Sequence, residues 1–290
     1  MKWQLGRRSG NVEDRRGQGP GGGGGMRLGL VGIVIVVIIA FVTGRNPLEL
    51  LGLLAQQGEP GTAQTQPGAA TAPPADDQAA QFVSTILGST EDVWGKVFQA
   101  SGNTYLPPKL VLFSGAVASA CGQATSAVGP FYCPGDQQVY LDTSFFEEMK
   151  AKLGGGGDFA EAYVIAHEVG HHIQTLTGVS NKMNSMRARG ENMEGDNGLS
   201  VRQELQADCY AGVWANQAQK QYQWLEAGDI EEALSTASAI GDDRLQRQSR
   251  GSVVPDSFTH GTSEQRVRWF RVGFDSGDAG RCDTFKATQL

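Results

Sequence analysis

The sequence predicts an α+β domain behind a single apolar segment, and three patterns carry that prediction. Apolar side chains recur at three- and four-residue steps through Phe159, Ala162, Ala166, Val169, Ile173 and Leu176, the period of a helix with one buried stripe. Two short runs, Lys109–Phe113 and Gln137–Leu141, have the length and composition of strands. Leu28–Gly44 carries no charge and is bracketed by Arg27 and Arg45.

Residues 1–27 read as a basic tail, with Lys2, Arg7, Arg8, Arg15, Arg16 and Arg27 and five glycines at Gly21–Gly25, a composition that leaves little apolar surface to bury. Residues 28–44 are at the short end for a transmembrane helix, which needs about 20 residues and at least about 17. The run exceeds the apolar core of a secretory signal and no small-x-small site follows it, so an uncleaved anchor is expected. Six basic residues precede the run, and after Arg45 the next is Lys96, which puts the N-terminus in the cytoplasm and the rest outside. Residues 45–81, rich in Gln, Ala, Pro, Gly and Thr from 55 onward, read as a flexible linker. Residues 82–290 suffice for one domain with its own core.

Within that domain a helix is expected over Phe82–Gln99, ahead of the two strands. The next helix spans 158–177, capped by Asp158 after the glycines Gly154–Gly157 and stopped by Gly178. A polar loop from Asn181 to Gly198 leads to a helix that Ser200 and Gln203 begin as a capping box; further helices cover Asp229–Ile240 and Ser263–Phe274, the last capped by Thr262 and Gln265. The formal charge is −7, and the basic residues concentrated in the tail leave the domain more acidic still, which argues against nucleic acid as a partner. All four cysteines lie beyond the apolar run, and an even count in an exported domain suggests two disulfides. Of three possible pairings, Cys121 with Cys133 and Cys209 with Cys282 are preferred, the second tying a site helix to the C-terminal tail.

The chemistry concentrates in His167-Glu168-Val169-Gly170-His171-His172, which holds three of the four histidines. Residues four apart on a helix stack one turn above each other, so His167 and His171 can ligate one Zn2+ while Glu168 takes a proton from water that the metal acidifies. His172 points away around the helix and reads as structural. A third ligand is needed. Gln174 and Thr177 occupy the positions where a metzincin would continue its motif, and Glu204-Leu205-Gln206-Ala207-Asp208 offers Glu204 as ligand with Asp208 one turn on to orient an imidazole. Glu191 and Glu194 compete, from a less rigid loop. His260 and Arg266 form a pair able to hold an oxyanion.

These motifs, with Lys2-Trp3, Arg7-Arg8-Ser9, Asn11–Gly17 and Ser126–Pro134, resemble the bacterial family of neutral zinc metallopeptidases with membrane-anchored ectodomains. The resemblance implies a gluzincin-like domain with Zn2+ on His167, His171 and Glu204, Glu168 as general base, and a role for His260 and Arg266. It also implies a single-pass protein of the bacterial cell membrane, with the catalytic domain periplasmic or extracellular and a peptide or protein as substrate. In such folds a strand before the metal helix lies along the cleft, which makes Val139-Tyr140-Leu141 a candidate for pairing with an extended substrate. Two other readings stand beside it: a zinc-stabilised binding module without turnover, and a zinc amidase or esterase acting on a cell-envelope component.

Overall fold

A computed structural model of the chain describes residues 1–17, 72–153 and 156–290. Leu28–Gly44 and most of the expected linker lie outside the described residues; among those described, no helix is long and apolar enough to cross a membrane. The mixed α+β class holds.

Among the described residues, six strands form two sheets. β1 (Val12–Asp14), β2 (Lys109–Phe113), β5 (Phe131–Cys133) and β6 (Gln138–Asp142) make a four-stranded sheet in the order β1-β2-β6-β5, while β3 (Ala116–Ser119) and β4 (Gly122–Thr125) make a hairpin. β1, β2 and β6 run parallel; β5 is antiparallel to β6. β2 is apolar almost throughout because both its faces are covered. Leu110 and Leu112 join the main core with Val139 and Leu141, and Val111 and Phe113 join a second cluster with Val117, Cys133 and Tyr140.

The α-helices among the described residues are α1 (Gln78–Ala100), α2 (Ser144–Leu153), α3 (Asp158–Leu176), α4 (Val179–Ala188), α5 (Leu199–Tyr222), α6 (Asp229–Ala239), α7 (Asp242–Arg250) and α8 (Ser263–Ser276). The expected capping box at the start of α8 is present, with Gln265 N–H donating to the Thr262 hydroxyl at 3.1 Å and Thr262 N–H donating to Gln265 at 2.8 Å. Two other caps differ. Gly157 rather than Asp158 caps α3, and the Asp158 carboxylate instead accepts from Trp3 Nε1 at 2.9 Å. Gly198 caps α5 without a side-chain bond, so Ser200 and Gln203 lie inside the helix. The polar segment from Asn181 begins as helix α4, which buries Met183.

The largest departure is at the start of the chain. Residues 1–17, expected as a tail outside the domain, are part of it: Trp3 and Val12 are buried in the main core and β1 pairs with β2. Both expected disulfides form. Cys121–Cys133 closes the region of the β3–β4 hairpin, and Cys209–Cys282 ties α5 to the C-terminal segment across 73 residues.

Candidate metal centre and its cleft

Close helix packing builds the centre. α3 and α5 meet where Gly170 lies against Ala207; a Cβ on Gly170 would stand 3.0 Å from the Ala207 Cα and carbonyl oxygen. The glycine inside the histidine motif therefore lets the second helix approach, and Glu204, nearly one turn before Ala207, reaches both imidazoles. His167 Nε2 lies 3.2 Å and His171 Nε2 3.5 Å from Glu204 Oε2. The ligand atoms of these three residues all lie within 4.8 Å of one another.

Hydrogen bonds behind the rings fix which nitrogen faces the centre. His167 Nδ1–H donates to Asp208 Oδ1 at 2.9 Å, and His171 Nδ1–H donates to Gln174 Oε1 at 2.9 Å. The Gln174 amide is held in that orientation because its Nε2 donates to the Gln203 carbonyl at 2.7 Å and to Gln206 Oε1 at 3.2 Å. Both Nε2 atoms are thereby turned toward the Glu204 carboxylate, and with a cation between them all three groups would serve as acceptors. The donor set, two imidazoles and one carboxylate, suits zinc with a position left open.

The electrostatics agree. Burial opposes charge on His167, yet Asp208 and Glu204 outweigh it and lift its pKa to about 10. Burial also opposes charge on Glu204, but His171 and His167 hold it well below the usual carboxylate range. Glu168 is shifted upward, chiefly by burial, which makes its carboxylate a stronger base.

Asp208 has no exposed side-chain surface and accepts four hydrogen bonds from three side chains. Besides His167, it accepts from Tyr163 Oη at 2.5 Å and from Arg266 Nε and Nη2, both at 2.9 Å. Arg266 comes from α8, which packs on α5 so tightly that a Cβ on Gly273 would strike the Cys209 carbonyl oxygen and one on Gly212 the Phe270 carbonyl oxygen. Arg266 borders the cleft, and its guanidinium is bidentate on Asp208, which it holds against His167. No local pattern signals this pair, because Asp208 lies 58 residues away.

A cleft of about 460 Å³ opens over the centre, lined by His167, Glu168, His171, Glu204 and His260. His260 is half exposed, and its Nδ1 faces Asp242 Oδ1 at 3.3 Å, leaving Nε2 as the nitrogen for the cleft. Asp242 also accepts the backbone N–H groups of Thr259, His260 and Gly261, which fixes the loop that carries the imidazole. The hydrogen bond to Asp242 raises the pKa of His260. His172 is structural, as expected: Nε2 donates to the Leu106 carbonyl at 2.6 Å and Nδ1 accepts from Tyr132 Oη at 3.1 Å, pinning β5 to α3.

The competing ligands stay outside. Glu191 pairs with Arg189 on the surface, and neither it nor Glu194 belongs to the ligand group. The expected substrate strand also shifts: β6 is interior, between β2 and β5, and the strand at the sheet edge that borders the cleft is β5. Sequence reasoning missed Gln174 and Asp242 as orienting groups. Gln174 carried a signal, since it lies one residue short of a full turn beyond His171 on the same helix.

The family model described as "Putative neutral zinc metallopeptidase" matches residues 1–285. The chain belongs to that family. It is similar to the uncharacterized protein YpfJ of Escherichia coli (strain K12), 51% identical over 290 residues that cover 98% of this chain and 99% of the relative. It is also similar to the uncharacterized protein Rv2575 of Mycobacterium tuberculosis (strain H37Rv), 44% identical over 222 residues that cover 73% and 74% of the two chains. No solved structure matches.

Proposed function

We propose that this chain is a zinc-dependent endopeptidase that hydrolyses peptide bonds with Glu168 as general base. The observation that carries the reading is the convergence of His167 Nε2, His171 Nε2 and a Glu204 oxygen, with a buried carboxylate of raised basicity beside them in an open cleft. A zinc ion bound there would polarise the scissile carbonyl and acidify water. Glu168 accepts the proton from that water and returns it to the leaving amine. His260, oriented by Asp242, donates from Nε2 to the oxygen on which charge develops. Arg266 acts behind the ligands, by holding Asp208 against His167. The free edge of β5 receives an extended substrate by strand addition.

The test is hydrolysis of a quenched-fluorescence peptide library by the full chain loaded with zinc, since residues 1–17 belong to the fold. Glu168→Gln should retain the metal and lose turnover by several orders of magnitude, whereas Glu204→Ala should lose the metal. Equal turnover by wild type and Glu168→Gln would overturn the assignment. Silence of both with zinc bound would favour the binding-module reading, and hydrolysis of envelope amides alone the amidase reading.

A further inference from the structure

The cleft carries a further signal in its walls. Apart from the residues of the metal centre and its supports, the lining comprises aliphatic and aromatic side chains with Gly129 and Pro130, and none of it is ionised. Two of these side chains are exposed although apolar: Val128 at 63% and Leu245 at 36%. Leu245 is the single apolar residue in α7, Asp242–Arg250, so that helix has no apolar face for the core and instead presents its one leucine to the cleft. Val128 comes from the turn that leads into the edge strand β5. Apolar surface left in water at the rim of a cleft is stabilised when a ligand covers it.

We propose that Val128 and Leu245 are specificity residues that contact aliphatic or aromatic side chains flanking the cleaved bond, so that the substrates are extended peptides with apolar residues there. This rests on the peptidase reading. The experiment compares kcat and KM of the zinc-loaded full chain on peptides that vary only at the two residues flanking the bond. Apolar residues should be preferred over Asp, Glu, Lys and Arg by about tenfold or more. Leu245→Glu and Val128→Asp should raise KM for apolar peptides with kcat largely kept, and shift preference toward basic residues. Cleavage without apolar preference, or variants whose preference is unchanged, would overturn the specificity assignment and leave the peptidase reading standing. No cleavage of any peptide would overturn the peptidase reading itself.

An independent observation concerns the first 17 residues. Trp3 is buried edge to face on Phe82 at 5.2 Å. Arg7 bonds Glu91 at 2.7 Å and Asp92 at 2.8 Å, and Asn11 donates to Glu91 at 2.7 Å. α1 has a glycine where this arm crosses it: a Cβ on Gly88 would meet the Arg7 carbonyl oxygen at 2.5 Å. At the end of the arm, Arg16 Nη2 bonds Oδ2 of Asp77, the N-cap of α1, at 2.6 Å. These contacts require the arm and residues 72–290 to share one compartment.

We infer that residues 1–17 and the candidate metal-binding domain occupy one compartment, in place of the expected cytoplasmic tail ahead of an exported domain. The two disulfides assign that compartment as an oxidising one. The experiment places single cysteines at Leu5, which is 98% exposed, and at exposed Asp256 in separate full-length variants, and labels intact cells with a membrane-impermeant maleimide. The native cysteines are all paired and stay silent. Both positions should label. Protection of both until the cells are permeabilised would keep the shared compartment and overturn its oxidising assignment; labelling of one with protection of the other would overturn the inference. As a second measurement on purified full-length protein, Arg7→Glu should lower the melting temperature and Asp92→Arg should restore part of the loss. Additive losses would argue that the arm is not seated.

Discussion

His167 and His171 sit one turn apart on the same helix and face the same carboxylate, but they are held in different ways. Behind His167 is a buried ionic network in which Asp208 answers Arg266, Tyr163 and the imidazole together. Behind His171 is a neutral amide, Gln174, itself held by the Gln203 carbonyl and Gln206. The charged network joins three helices, α3, α5 and α8, whereas the amide relay joins two. A carboxylate behind an imidazole makes it a stronger donor to a metal and fixes its tautomer; an amide fixes the tautomer alone. One imidazole is thereby tuned and the other only oriented.

The largest effect is expected from removing the charged support. Asp208→Ala leaves Arg266 buried without its carboxylate, and breaking a buried pair in this way costs about 3–5 kcal/mol. Loss of the orienting group should also weaken zinc binding by about 10–100-fold. Chemical denaturation of the metal-free chain and a competition titration with a zinc chelator measure the two separately. A loss confined to metal affinity would mean that the network tunes the ligand without holding the helices.

His260 extends the comparison to an imidazole outside the ligand set, held by a carboxylate as His167 is but half exposed. If it donates to the developing oxyanion, His260→Gln should lower kcat by about 10²–10³-fold with KM and zinc content little changed. An unchanged kcat would make the Asp242–His260 pair a loop-fixing device only.

Replacing the neutral support should cost less. Gln174→Leu removes three uncharged hydrogen bonds, to His171, the Gln203 carbonyl and Gln206, each worth about 1 kcal/mol, and leaves no buried charge unpaired; it should weaken zinc binding toward the low end of the range for an orienting partner, about tenfold. Gln174→Glu supplies His171 with a carboxylate like that of His167, and tighter zinc binding in that variant, read by the same chelator competition, would show that the two supports differ through charge.

The sequence made one side of this comparison legible and hid the other for physical reasons. Glu204 and Asp208 were readable because i, i+4 spacing puts both on one helix face, and the two histidines by the same rule. The partners that arise only when helices pack were not: the carboxylate that pairs with Arg266 lies on another helix, and Asp242 lies 18 residues before the histidine it orients. The arm was hidden for a related reason. β1 has three residues, and its partner strand begins almost a hundred residues later, so no local pattern distinguishes it from a basic tail. β2 and the metal helix, which carry enough apolar residues to declare their own period, matched expectation closely.

The smallest effect is a displacement on the pH axis. The Asp242 hydrogen bond raises the folded pKa of His260, so the imidazolium is fully present below its ordinary value and is lost as pH rises through the raised one. A group that donates to an oxyanion as the cation therefore sets an alkaline limb in kcat. Asp242→Asn keeps an oxygen for the backbone N–H groups of Thr259, His260 and Gly261 but removes the charge that favours the imidazolium. That limb should then move to lower pH while the acid limb, which reports Glu168, stays in place. His260→Gln should abolish the limb altogether. A profile in which Asp242→Asn moves both limbs together would instead trace the effect to the metal centre, and the charged support of His260 would then differ from that of His167 in position but not in task.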